Sequence, residues 1–292
     1  MIANPAAGGG RGARAAERGR RRLLRAGLEV SLDWTQRRGQ ARELAAAARD
    51  RGSAVVVVCG GDGTVAEVLP ELAGRDRSLG LLPAGTCNDL ARALGIPVRL
   101  EPALRVLLEG RPRPIDLGRC GGHRFATVAS FGFDAEVGEE MAEGRSPFPG
   151  TAGYLYTALR RLRGYHPAPV RLRGEFGVRE QEVFLVAAGN TRSYGGGMRI
   201  CPEADPTDGR LDLCLVDGSI SPREVLALVP RIFRGGHLRS AAVHMLRSSW
   251  VEIEALDGSP ISLRADGERL CETPTVLRAD HQALRVIQPA SA

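Results

Sequence analysis

The stretch GGDGT at residues 60–64, directly after the run AVVVVC at 54–59, decides how the first half of this chain is read. A short apolar run rich in valine and bounded by polar residues has the length and composition of a strand buried on both faces. Ending such a strand in two glycines and an aspartate lets its backbone approach a ligand closely, because glycine permits turns closed to other residues. Outward from this point the sequence alternates between helical and strand periods. Helices are predicted over 13–26, 40–51, 65–72 and 89–94, the last with Asn88 in the N-cap position, and strands over 28–33, 54–59 and 79–82. That alternation predicts an α/β domain with a parallel sheet, whose ligands lie at the carboxyl ends of the strands.

The pattern changes at the proline-interrupted RPRPIDLG, residues 111–118. Beyond it the expected elements are mostly short strands, at 125–129, 170–173, 183–188, 211–216, 250–255, 261–265 and 284–287, with helices at 154–163 and 222–233. A mostly antiparallel β-sandwich is the expectation. The predicted boundaries are 1–113 for a nucleotide-binding α/β domain and 114–292 for the sandwich, with about 280–292 returning to the first.

Composition narrows the function. The 292 residues are 43% hydrophobic and 25% charged, the balance of a globular protein, and no apolar run has the length of a membrane span. The first residues lack the apolar core of a signal peptide, so a cytoplasmic location is expected. All 40 basic residues are arginine. Without lysine there is no Walker A loop, no protein-kinase strand lysine and no Schiff base. The net charge of +6 is spread along the chain and aromatic residues are only 4%, which argues against a nucleic-acid binder. The six cysteines, at 59, 87, 120, 201, 214 and 271, form no CxxC pair, and reduced, packed thiols are expected. The five histidines form no triad-like arrangement.

Two further glycine-rich stretches accompany GGDGT: NPAAGGGRG at 4–12 and LPAGTCNDLARALGIP at 82–97. Each leads into a predicted helix, where exposed amides and the helix dipole favour an anion. Alone, NPAAGGGRG reads first as a flexible segment and GGDGT equally as a tight turn with an Asp cap.

Together they resemble the diacylglycerol kinase catalytic-domain family, through NPAAG at 4–8, GGDGTVAEV at 60–68 and PAGTCNDLAR at 83–92. The resemblance continues through SFGFDAEV at 130–137, GNTRSYGGGMRICPEADPTDGRLDL at 189–213 and ADGE at 265–268. It implies a two-domain lipid kinase that uses ATP and Mg²⁺ on a membrane lipid, most simply diacylglycerol, at the inner membrane surface. Asn4, Gly8, Thr35, Gly61, Asp62, Gly63, Thr64, Glu67 and Thr86 are the implied nucleotide contacts, with Asp62 organising phosphate and Mg²⁺. Glu268 is the implied general base, assisted by Asp134. The side chain of Asp208 and carbonyls near Asp205 and Arg210 are the implied structural Mg²⁺ ligands. Ala66 stands where the family often has Asn. The segment YLYTALRRLRGYHP at 154–167 reads either as a surface helix or as an interfacial element with tyrosines and leucine toward acyl chains and arginines toward head groups. An NAD kinase-like small-molecule kinase and a catalytically silent nucleotide-binding regulator stand as alternatives. A homodimer is compatible with the resemblance.

Overall fold

Strand β1 (Ile2–Ala3) and helix α1 (Ala7–Arg25) begin the chain in this computed structural model, which describes residues 1–148 and 150–290. Then follow β2 (Asp33–Trp34), α2 (Gln40–Asp50), β3 (Val55–Gly60), α3 (Asp62–Leu72), β4 (Ser78–Pro83), α4 (Asp89–Ala93), α5 (Leu100–Glu109) and β5 (Arg111–Cys120). The chain divides into two compact units. The first holds Met1–Asp116 together with the residues from His281 onward, and the second holds Leu117–Asp280.

The first unit is an α/β sheet in which β1 pairs in parallel with both β2 and β3, and β3 with β4. The last strand adds to the same sheet, with Arg285 and Val286 opposite Ser78 and Leu79 in parallel. The strand expected over 28–33 is only the two residues of β2. Its partner β1 is itself two residues long, so Ile2 and Ala3 meet Asp33 and Trp34 and the ladder ends. Ala3, Ala16, Leu23, Cys59, Leu82 and Leu104 form the core under α1 and α5.

The second unit contains β6 (His123–Phe125), β7 (Val128–Gly132), α6 (Phe133–Ala142), α7 (Gly150–Arg161), β8 (Ala168–Gly174), β9 (Gly177–Gly189) and β10 (Leu211–Asp217). It continues with α8 (Pro222–Ile232), β11 (Val243–Ser248), β12 (Trp250–Ala255), β13 (Ser262–Ala265), β14 (Glu268–Glu272) and the first part of β15 (Thr275–Gln288). All of its pairings are antiparallel: β14–β13–β7–β9–β8–β12–β15 in order, with β10 on β9 and β11 on β10. Strand β10 reads LDLCLVD as an almost unbroken apolar run because both faces of its sheet are covered. Period-two alternation sends Leu211, Leu213 and Leu215 to one core, and Cys214 and Val216 to another core that α6, α7 and α8 cover. Each such side chain, once fully buried, contributes about 1.5–3 kcal/mol.

The cysteines correct one expectation. Cys120 at the end of β5 and Cys271 in β14 are joined as a disulfide, while Cys59, Cys87, Cys201 and Cys214 are free. The two partners lie 151 residues apart in sequence and meet only in the folded unit. Among the described residues no helix is long and apolar enough to cross a membrane.

Candidate functional site

Three loops meet at the carboxyl ends of β1, β3 and β4. Asn4 follows β1, and its amide nitrogen donates to the Thr64 hydroxyl at 3.4 Å, while its own backbone N–H donates to the Cys59 carbonyl at 2.9 Å. Gly8 has φ 59°, and a Cβ there would stand 2.3 Å from the Ala84 carbonyl oxygen. A Cβ on Gly85 would stand 2.4 Å from the Cα of Gly61. Backbone therefore packs on backbone between all three loops, at distances no side chain would allow.

The turn after β3 is shorter than expected, since α3 already begins at Asp62 with Gly61 as its N-cap. Gly63 lies in the exposed first turn of α3, with open space about its α-carbon. The first amides of a helix have no intrahelical acceptor, so this turn offers donors and a positive dipole end to an anion. Thr86 is exposed at the tip of the third loop, whereas Thr64 is buried.

Two carboxylates of the motif face inward to the scaffold. Asp62 Oδ1 accepts from the backbone N–H of Leu90 at 3.4 Å. Burial pushes its carboxyl above the ordinary range, while backbone donors at Leu90, Asp89 and Asn88 pull it back. Asp62 thus caps α4 from another loop. Asn88, the expected cap, instead turns back on the third loop, accepting from Gly85 N at 2.9 Å and donating to Gly85 O at 3.0 Å. Glu67 accepts from Gly39 N at 2.8 Å and from Ala41 N at 2.9 Å, so it holds the start of α2 against α3. Thr35 is buried and donates its N–H to Ala3 O at 2.9 Å. Ala66 is half-buried.

In the second unit, Asp134 is buried on α6. It accepts from the Ser130 hydroxyl at 2.5 Å and from the Tyr154 hydroxyl. Burial raises its carboxyl above the ordinary range, opposed by hydrogen bonds from Ser130 and Tyr194 and by the charge of Arg264. Asp266 and Gly267, with φ 51° and 86°, make the turn between β13 and β14. The Asp266 carboxylate accepts from Ala126 N at 2.7 Å, Thr127 N at 3.2 Å and Thr127 Oγ1 at 2.5 Å. This anchor fixes the strand on which Glu268 is the first residue, half-buried.

Residues 1–120 match the diacylglycerol kinase catalytic domain, and residues 127–288 match the YegS C-terminal NAD kinase β-sandwich-like domain. The chain is 38% identical to a diacylglycerol kinase of Mycobacterium tuberculosis, over 99% of this chain and 94% of that one. It is 37% identical to a "Probable lipid kinase YegS-like" of Pseudomonas aeruginosa, over 91% of this chain and 87% of the other. The crystal structure of a diacylglycerol kinase from Bacillus anthracis strain Sterne superposes with a TM-score of 0.79 at 25% identity, covering 98% of this chain and 95% of that one. This chain belongs to the diacylglycerol kinase-like lipid kinase family.

In this lipid kinase family member the segment at 204–213 can be tested as a cation site. Asp208 accepts from Arg210 N at 2.9 Å and pairs with Arg247, and Asp205 accepts from Thr207 N at 3.0 Å and Thr207 Oγ1 at 2.7 Å. Asp212 has a buried Oδ2 with no hydrogen-bond partner. Its carboxyl is pushed up to about 6, first by burial and then by Glu203 and Asp205. Arg247 Nε lies 3.8 Å from that Oδ2 and also pairs with Asp208, so a hard cation here would share these carboxylates with a guanidinium. Among the described residues no group of three or more His, Cys, Asp or Glu side chains converges for a metal, so backbone oxygens would complete the shell.

The partners of Asp134 come from segments that no motif marks. Tyr154, expected on the surface or toward acyl chains with the segment 154–167, turns its hydroxyl inward to Asp134. Arg160 and Arg161 of the same helix pair with Glu140 on α6 and so are not displayed to solvent as free cations. The helical repeat from Tyr154 through Ala158 and Leu162, one position every turn, carried the signal of an inward face, and all three pack on the core. Asp266 is the functional residue that the ADGE motif hides behind Glu268; an aspartate before glycine in a hairpin is the feature that marks it.

Proposed function

We propose that this protein is an ATP-dependent lipid kinase that transfers the γ-phosphoryl group to a lipid hydroxyl, most simply converting diacylglycerol to phosphatidic acid. The observation that supports this most is the backbone contact of the three loops, Gly8 on Ala84 and Gly61 on Gly85, which directs the first turn of α3 outward as an anion site. The names of the relatives point to the same chemistry.

In this reading the amides at Gly61 and Gly63, with Asn4, Gly8, Thr64 and Thr86, hold the triphosphate. Asp62, Thr35 and Glu67 fix the loops that carry them. Phosphoryl transfer needs positioning and charge neutralisation more than covalent help from the protein. Glu268 accepts the hydroxyl proton as the lipid oxygen attacks the γ-phosphorus, and the bond from that phosphorus to the bridging oxygen of ADP breaks. The products are a lipid phosphate monoester and ADP. Asp134, held by Ser130 and Tyr154, orients the acceptor side. Mg²⁺, when bound, would supply charge neutralisation, and Asp208 with carbonyls near Asp205 and Arg210 would hold a second, structural ion. The substrate remains in the bilayer, so the enzyme works as a peripheral protein at the cytoplasmic face of the inner membrane.

The test is transfer from labelled ATP to a total lipid extract in detergent micelles with Mg²⁺, with the labelled product identified by mass. A labelled phosphatidic acid is expected. ATP binding with no labelled lipid would instead favour the silent-regulator reading, and label on NAD the small-molecule kinase reading.

A further inference from the structure

Helix α8 carries many apolar residues, yet none of its positions is fully buried. Val225, Leu228 and Ile232 pack on the core beneath it. Leu226 and Phe233, 45% and 43% exposed, look outward two turns apart. At 3.6 residues per turn Leu226, Pro230 and Phe233 fall on one flank, with Arg223 and Arg234 along its border. Arg231 lies further round, and Arg239 follows in the short turn of 3₁₀ helix at Gly236–Arg239. All four arginines are exposed. The one acid of the segment, Glu224, is already engaged: it accepts from Ser221 N at 2.9 Å and Ser221 Oγ at 2.6 Å in the capping box that starts the helix. Among the described residues none of the four arginines has an ion-pair partner.

Helix α7 offers the contrast. It too exposes Leu155, Tyr156 and Leu159, but Arg160 and Arg161 share Glu140, and Glu136 lies 3.8 Å from Arg161. Arg160 and Arg161 are thus satisfied within the protein, and of the exposed arginines just past the helix only Arg163 is left over, whereas α8 and its turn leave four for a partner.

We propose that α8 and the turn after it dock this protein on an anionic phospholipid surface. The flank of Leu226, Pro230 and Phe233 sits at the boundary of head groups and acyl chains, and the arginines reach lipid phosphates. An apolar flank bordered by cations is the pattern of a helix lying in the membrane plane. Guanidinium suits this role because its planar fork meets phosphate oxygens two at a time. The purpose of the surface rests on the lipid-kinase reading, while its geometry does not.

Sedimentation with vesicles tests it, using phosphatidylcholine alone and phosphatidylcholine mixed equally with phosphatidylglycerol. The wild type is expected to pellet with the anionic vesicles only, and less as salt rises. Each cation near an anionic surface contributes about 1 kcal/mol, so Arg223→Gln, Arg231→Gln and Arg234→Gln together should weaken binding on the order of 100-fold. Leu226→Ser with Phe233→Ser should weaken it roughly tenfold, since both side chains are only partly buried on the membrane. Both variants should phosphorylate lipid dispersed in detergent micelles at the wild-type rate and be slowed only on vesicles. Unchanged vesicle binding in both variants would overturn the proposal. So would loss of binding in Leu155→Ser with Leu159→Ser on α7 while the α8 variants still pellet. Wild-type binding to anionic vesicles without phosphorylation of any lipid in micelles would support the docking surface and sink the kinase reading.

Discussion

The two candidate regions are built by opposite means. In the first unit the loops are set by contiguous backbone: glycines let Gly8, Gly61, Ala84 and Gly85 approach, and the carboxylates of Asp62 and Glu67 cap α4 and α2 rather than face solvent. In the second unit side chains from distant segments converge. Asp266 reaches back 139 residues to Thr127, and Asp134 gathers Ser130, Tyr154 and Tyr194. The difference teaches that a conspicuous acid in a motif can act by holding a loop, and that an inconspicuous one can position the strand that begins with Glu268.

The largest expected effect comes from Asp266→Ala. It leaves Ala126 N, Thr127 N and the Thr127 hydroxyl without their acceptor, and stability should fall by about 3 kcal/mol in chemical denaturation. Transfer should be lost with it, and a variant that kept both would break the contrast. Next, Gly85→Ala puts a methyl group against the Gly61 backbone and should cost about 2 kcal/mol, with loss of ATP affinity by calorimetry. Gly63→Ala meets nothing within 4 Å and should leave stability equal or raise it by up to about 1 kcal/mol. A similar cost at both glycines would remove the backbone-contact argument. Third, Glu67→Gln keeps the shape but gives up one charge-assisted acceptor of the Gly39 and Ala41 amides, for a loss of about 1 kcal/mol.

The smallest effect concerns His237, which is buried with Nε2 3.0 Å from the Ile200 carbonyl. Burial lowers its pKa below the ordinary 6.5. Between the two values the unfolded chain binds the proton and the folded chain does not, so this group's contribution is present above 6.5 and falls as pH drops below it. His237→Gln should therefore flatten the stability profile between neutral pH and the folded pKa. An identical slope in the variant would assign the pH dependence elsewhere.

How legible this was in the sequence follows from the same contrast. The valine run and GGDGT specified a parallel strand and its loop because both signals are contiguous, and the β-sandwich class followed from short alternating runs. Helix α5 went unread although Leu100, Ala103, Leu104, Leu107 and Leu108 repeat at helical spacing. Pro102 is compatible with it, since it sits in the first turn, where no backbone N–H is needed. The full length of β15 was hidden because Gln282, at φ 51°, interrupts its period. The Cys120–Cys271 pair and the Tyr154–Asp134 contact have no spacing rule at all; they exist only once distant strands and helices are packed.

The most direct measurement compares ATP binding and phosphoryl transfer in the wild type and in Glu268→Gln. With nucleotide held by the loops of the first unit and proton removal assigned to Glu268, the variant should bind ATP as the wild type does while transfer to lipid falls by roughly 10²–10⁴-fold. Transfer at the wild-type rate, or loss of ATP binding in this variant, would contradict the division of labour.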